Sequence, residues 1–225
     1  MNPPATHERL RFNMIEQQIR PWDVHDPEVL ELLNLVRRED YVPPAHRGLA
    51  FFDMELPLAD EGSAGRSMLS PKVEARILND LQIRPNEKIL EIGAGSGYMA
   101  ALLAARGRHV LTLEIDSELA AMARGNLAAN GVSNAEVLQA DGAAPLAAAA
   151  RFDVIVLSGS VAQVPQHLLS ALNIGGRLAA IVGEEPMMRA HFVTRTGEGQ
   201  WETRQPWDTS APRLLNFPEP SKFRF

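Results

Sequence analysis

The feature that most constrains this chain is the run Glu91-Ile92-Gly93-Ala94-Gly95-Ser96-Gly97, set between a buried apolar stretch and a helical one. Lys88–Ile92 reads as a strand, and Tyr98–Arg106 as a helix stopped by Gly107. A strand-to-helix turn this tight needs residues that tolerate positive φ or close backbone approach. It also aims free helix N–H groups at a ligand. The spacing narrows the ligand. A dinucleotide fingerprint needs Gly-x-Gly-x-x-Gly, and here Tyr98 stands where its last glycine belongs. A phosphate-binding P-loop needs Gly-Lys followed by Ser or Thr, which is missing.

The loop sits in a repeating pattern. Strands are expected at His109–Glu114, Ala135–Gln139, Phe152–Leu157 and Gly176–Val182, with helices at Ser117–Asn130 and Pro165–Leu172. Strand-helix alternation predicts an α/β, doubly wound, mostly parallel sheet with its ligand edge at the carboxyl ends of the strands. Beyond Glu184, His191–Thr194 and Gln200–Thr203 suggest a hairpin around Gly197-Glu198-Gly199.

Ahead of the sheet the pattern is helical. Residues 1–11 read as a loose tail, followed by a helix from Phe12 to Ile19 that Pro21 stops. Asp26 is a candidate N-cap, with Pro27 in the first helical position and Glu28 at the positive dipole end. Val29, Leu32, Leu33 and Val36 then form one apolar stripe. Residues 48–69 look loop-like. Ser70-Pro71 opens a further helix that buries Val73, Ile77, Leu78 and Leu81. The expected division is a helical and loop extension over 1–84, packed on an α/β cofactor-binding domain with a C-terminal tail over 85–225.

Of 225 residues, 45% are apolar, which suffices for a real core. There are no cysteines, so disulfides, thiolate zinc sites and a cysteine nucleophile are excluded. The net charge of -6 gives no footprint for a nucleic-acid backbone. The N-terminus lacks the apolar core of a secretory signal, and no run approaches the ~18–20 apolar residues that span a bilayer. The expectation is a soluble cytoplasmic protein without nucleic-acid or membrane partners. His25, His46, His109, His167 and His191 show no metal-ligand spacing, so no metal is expected. Trp22, Trp201 and Trp207 read as packing residues, and Arg37-Arg38 as a solvated helix end.

Glu-x-Gly-x-Gly-x-Gly resembles the first motif of class I S-adenosylmethionine-dependent methyltransferases. The resemblance implies that Gly93, Ala94, Gly95 and Gly97 back the methionine and ribose portions of the donor, and that Glu91 lies near its amino group. Glu114 ends the second strand, where an acid can accept both ribose hydroxyls. Asp116 is the competitor there, with an alternative reading as a helix cap. Asp141-Gly142 follows the third strand. By resemblance Asp141 bonds the adenine amino group, although Asp-Gly is also a common turn pair.

A narrower resemblance covers roughly residues 12–183. Met14–Arg20, Asp26–Leu30, Val36–Pro43, Leu56-Pro57-Leu58, Leu81–Pro85 and Leu172–Leu178 are similar to segments of the protein-L-isoaspartate O-methyltransferase family. That family methylates the isoaspartyl carboxylate in damaged proteins, and the ester then closes to a succinimide. The sequence departs from it before the helix at Pro71. Where the family carries Thr-Ile-Ser, then Gln or Ala, then Pro, this chain reads Ser67-Met68-Leu69-Ser70-Pro71. Leu69 holds the acceptor-serine position, which leaves Ser70 as the candidate catalytic residue or else a helix N-cap. The loop from Leu58 to Pro71 is a few residues longer than usual. The end of the chain, Pro212–Pro220, also departs, and reads as a lid, an interface strand or packing. Ser158-Gly159-Ser160 either lines the acceptor side or starts a polar loop.

Three functions follow as expectations: isoaspartyl protein repair, methyl transfer to a small-molecule acceptor, or donor binding without transfer.

Overall fold

The computed structural model describes residues 6–59 and 65–219. Residues 1–5 of the tail expected over 1–11, and the chain from Pro220 onward, lie outside the described residues.

Helix α1 spans His7–Met14, continues as a π-helical turn over Ile15–Ile19 and tightens to a 3₁₀ turn over Arg20–Trp22. The helix therefore starts five residues before the expected Phe12, at a turn where Thr6 Oγ1 accepts from the Arg9 N–H at 3.4 Å. Arg11, within the expected tail, lies on the buried face of this helix. It is 6% exposed and ion-paired to Glu39. Helix α2, Pro27–Leu35, begins as expected, with the Asp26 side chain accepting from the Glu28 N–H at 2.9 Å. Within the stretch read as loop, Leu56–Pro57 (β1) pairs antiparallel with Ser67–Met68 (β2). Helix α3, Pro71–Leu81, follows at once.

The main sheet has seven strands. In chain order they are β3 (Lys88–Ile92), β4 (His109–Glu114), β5 (Ala135–Gln139), β6 (Phe152–Val161), β7 (Leu172–Glu184), β8 (Met187–Gly197) and β9 (Gln200–Arg204). Their spatial order is β5-β4-β3-β6-β7-β8-β9. Pairing is parallel from β5 through β7 and antiparallel from β7 through β9. Helices α4 (Tyr98–Arg106), α5 (Ser117–Ala129) and α6 (Gln166–Ser170) lie in the connections. The chain winds outward from β3 to β5 and then returns to lay β6 against the other side of β3. That reversal opens a crevice at the carboxyl ends of β3 and β6.

Strand alternation divides the core. Ile89, Val154, Val156, Ala179 and Ile181 face the layer that holds α1–α5. Leu90, Ile155, Leu157, Leu178 and Ala180 face the layer of α6 and Phe217. These strands are apolar on both faces, as buried parallel strands are.

Several boundaries moved, β7 beginning at Leu172 rather than Gly176 and β8 at Met187 rather than His191. Strand β6 runs to Val161, so Ser158-Gly159-Ser160 belongs to the strand, beside a register shift between Val156 and Ser160. Helix α6 stops at Ser170, because Leu172 already pairs with Phe152. No helix among the described residues is long and apolar enough to cross a membrane.

Candidate active site

The ends of β3, β4, β5 and β6 surround a cavity of about 300 Å³. Five expected site residues line it: Gly93, Gly95, Glu114, Asp141 and Gly142. The opposite wall comes from Arg66 and Ser67, and the outer rim from Arg213, Leu214, Leu215 and Phe217.

The glycines have separate duties. Gly93 (φ +92°) and Gly95 (φ +51°) hold left-handed backbone at the cavity wall. An added Cβ on Gly93 would stand 3.0 Å from Leu214. Gly97 (φ +84°) does not line the cavity. Its Cα side lies against the backbone of Ala123, so it lets α4 and α5 approach. A Cβ on Gly142 would meet the Ile92 side chain at 2.3 Å, so that turn is closed to larger residues.

Glu114 is the best-positioned acid. Its Oε2 accepts from the Gly95 N–H at 2.9 Å and its Oε1 from the Asp116 N–H at 3.0 Å. Each oxygen keeps a further acceptor site for a hydroxyl. Asp116 is occupied otherwise. It caps α5 by accepting from the N–H groups of Glu118 and Leu119, and it is ion-paired with Arg66. Burial works to raise its pKa, but Arg66 and the two N–H groups prevail and hold it below the usual carboxylate range. Asp141 accepts from the Ala143 N–H at 2.9 Å and from Asn216 Nδ2 at 2.8 Å.

Glu91 lies one layer beneath the cavity, fully buried. Its Oε1 accepts from Ser158 Oγ at 2.7 Å, and its Oε2 has no partner among the described residues. Burial pushes its pKa up to about 8. Ser158 lines the cavity, so Glu91 reaches it through that hydroxyl.

A second cavity of about 20 Å³ lies behind the glycine loop, lined in part by Ala94, Ser67, Leu69 and Ser158. Ser67 and Ser158 thus stand where the two cavities meet. Ser70 lines neither; it occupies the N-cap position of α3 without a side-chain capping bond. Arg38 is not the solvated helix end its sequence suggested. It is wholly buried, ion-paired with Glu74, and donates to the Leu69 carbonyl at 2.7 Å. Sequence reasoning missed Arg66 and Ser67 as site residues, and held Leu214 and Asn216 only within Pro212–Pro220, read as a lid, an interface strand or packing.

The cleft fits the expected donor. Its wall is glycine backbone in left-handed conformation, and Glu114 presents oriented acceptors at a strand end, as ribose recognition requires. Asp141 adds an acceptor at the next strand end.

A sequence model of the protein-L-isoaspartate(D-aspartate) O-methyltransferase family matches residues 9–209. A protein-L-isoaspartate O-methyltransferase from Koribacter versatilis is 37% identical over 190 residues, covering 84% of this chain and 83% of its own. One from Rhodopseudomonas palustris is 37% identical over 203 residues, covering 90% and 91%. In fold, the chain is similar to a Plasmodium falciparum protein described as a putative protein-L-isoaspartate O-methyltransferase, solved in complex with S-adenosyl-L-homocysteine. The TM-score is 0.77 at 18% identity, with 92% of this chain and 97% of that one covered.

Proposed function

The chain belongs to the protein-L-isoaspartate(D-aspartate) O-methyltransferase family, and from that membership we propose that its cleft carries out methyl transfer from S-adenosylmethionine to isoaspartyl carboxylates in proteins. The observation that carries this reading is the convergence of Gly93, Glu114 and Asp141, from three successive strand ends, on one cavity.

Bound S-adenosylmethionine supplies a methyl group on a positively charged sulfur. Everything else is assigned to the protein. Gly93 and Gly95 give backbone access, Glu114 holds the ribose hydroxyls, and Asp141 takes the adenine amino group. Ser158, oriented by Glu91, and Ser67 present hydroxyls at the junction where the acceptor enters. The acceptor carboxylate is ionised at neutral pH, with a reference pKa near ~3.9, so no strong base is needed. The residues therefore act by orienting the carboxylate and excluding water. Ser67 supports this more directly than Ser70, because it lines both cavities. The net charge of -6 supports a protein rather than a nucleic-acid partner, and the cysteine-free composition fits the cytoplasm.

The test is a methyl-release assay with an isoaspartyl peptide and its aspartyl twin. Turnover of the first alone supports the proposal. Donor binding without turnover of either rejects it, and turnover of a small carboxylic acid instead favours the acceptor change that Leu69 suggests.

A further inference from the structure

Residues 212–217 lie beyond the 9–209 matched to the family, yet they build one side of the cleft. Two backbone bonds add this segment to the end of β6. The Ser160 N–H donates to the Pro212 carbonyl at 2.7 Å, and the Leu214 N–H to the Ser160 carbonyl at 2.9 Å. Three side chains then reach across the strand ends. Leu214 packs onto Gly159, where an added Cβ would lie 2.8 Å from it, and onto Gly93. Asn216 donates through Nδ2 to Asp141 Oδ2. Phe217 is buried and stacks against His167, with ring centroids 6.5 Å apart and planes 16° apart.

The contacts divide into an anchor and a latch. Phe217 is 7% exposed and is part of the core on its face of the sheet, which ties down the far end. Asn216 is exposed and sits at the rim with φ +64°. Asparagine tolerates this left-handed conformation, and the resulting turn brings its amide to the acid at the end of β5. A carboxylate oxygen has two acceptor sites, and one Asn amide has two N–H donors. Asp141 Oδ2 can therefore keep the Asn216 bond while accepting from a ligand amino group. The second N–H of Asn216 is left to donate to a neighbouring ring nitrogen.

We propose that residues 212–217 are a strap closing the donor cleft, and that Asn216 on this strap recognises the adenine together with Asp141. This rests on the donor assignment made above. Leu214 lies over Gly93, between the bound donor and solvent, so donor exchange requires the Leu214–Asn216 portion to lift.

The experiment is stopped-flow displacement of S-adenosylhomocysteine from the full chain, comparing wild type with Asn216→Gly and Leu214→Ala. Glycine keeps the left-handed backbone and removes only the amide. Loss of one hydrogen bond to a neutral ring nitrogen predicts dissociation roughly three- to tenfold faster for Asn216→Gly. Leu214→Ala is expected to accelerate dissociation similarly, with association no slower than wild type in either variant, since the strap must lift for entry too. Unfolding temperatures close to wild type establish that both variants are folded. Wild-type binding with unaltered variant off-rates overturns the strap, and so does tighter binding by Asn216→Gly, which would make Asn216 a competitor for Asp141. Failure of the wild type to bind at all overturns the donor assignment itself.

Discussion

Ser158 Oγ donates a 2.7 Å hydrogen bond to Glu91 Oε1, joining the cavity wall to a carboxyl that has no exposure of its own. The motif acid and the cavity hydroxyl are therefore one unit. Glu91 acts by fixing where Ser158 points.

That unit is sensitive to pH. Burial pushes Glu91 from an ordinary value of 4.5 to about 8. Between those values the folded protein holds a proton that the unfolded chain has released. Stability from this group falls as pH rises through the window, and the full penalty is present above it. Glu91→Gln keeps an acceptor for Ser158 without the titration. Calorimetric unfolding from about pH 5 to about pH 9 is expected to show the variant gaining on wild type as pH rises. Parallel curves would remove this account.

Glu114 faces the cavity with both oxygens oriented by backbone N–H groups. Its truncation removes acceptors for two hydroxyls and leaves the Gly95 N–H unpaired. Hydrogen bonds to charged groups contribute roughly 1.5–3 kcal/mol each. Glu114→Ala is expected to weaken S-adenosylhomocysteine binding by at least about tenfold in titration calorimetry. An unchanged affinity would show that the ribose lies elsewhere.

Arg38 ties α3 to the segment that precedes it. It is buried, paired with Glu74, and bonded to the Leu69 carbonyl. Breaking a buried pair from one side strands the other charge, at about 3–5 kcal/mol. Arg38→Met is expected to lower stability by that order in denaturant titration. Arg38→Met together with Glu74→Leu should recover much of the loss, because no charge is then left unpaired.

The two serines before α3 separate by position. Ser67 lines both cavities, and Ser70 lines neither. Ser67→Ala is expected to lower kcat/KM for an isoaspartyl peptide while donor affinity holds. Ser70→Ala should leave both near wild type, and stability within about 0.5 kcal/mol, since no capping bond is lost. Reversal of the two phenotypes would restore Ser70 as the acceptor residue.

The parts of the fold legible in sequence are those governed by period and punctuation. Strands β3 to β5 and helix α4 fall where alternation and Gly107 put them, because buried parallel strands and glycine stops leave strong local signals. The cavity wall was legible for the same reason: Gly93, Gly95, Glu114 and Asp141 sit at strand ends and line one cavity. What escaped depends on distant partners. Arg11 and Arg38 look solvated in sequence, yet each is buried against a carboxylate, Glu39 or Glu74, far along the chain. Arg66 escaped because its loop carries no period, while Pro212–Pro220 reads in sequence as a lid, an interface strand or packing because its contacts are with distant strands. Glu91, expected near the donor's amino group, is fully buried and bonds Ser158, which lines the cavity.

The most direct measurement is mass spectrometry of an isoaspartyl peptide and its aspartyl twin after incubation with this protein and S-adenosylmethionine. The account predicts methyl ester, and the succinimide derived from it, on the isoaspartyl peptide alone, with the signal lost in Glu114→Ala. No methyl on the isoaspartyl peptide, from protein shown by calorimetry to bind the donor, would contradict it.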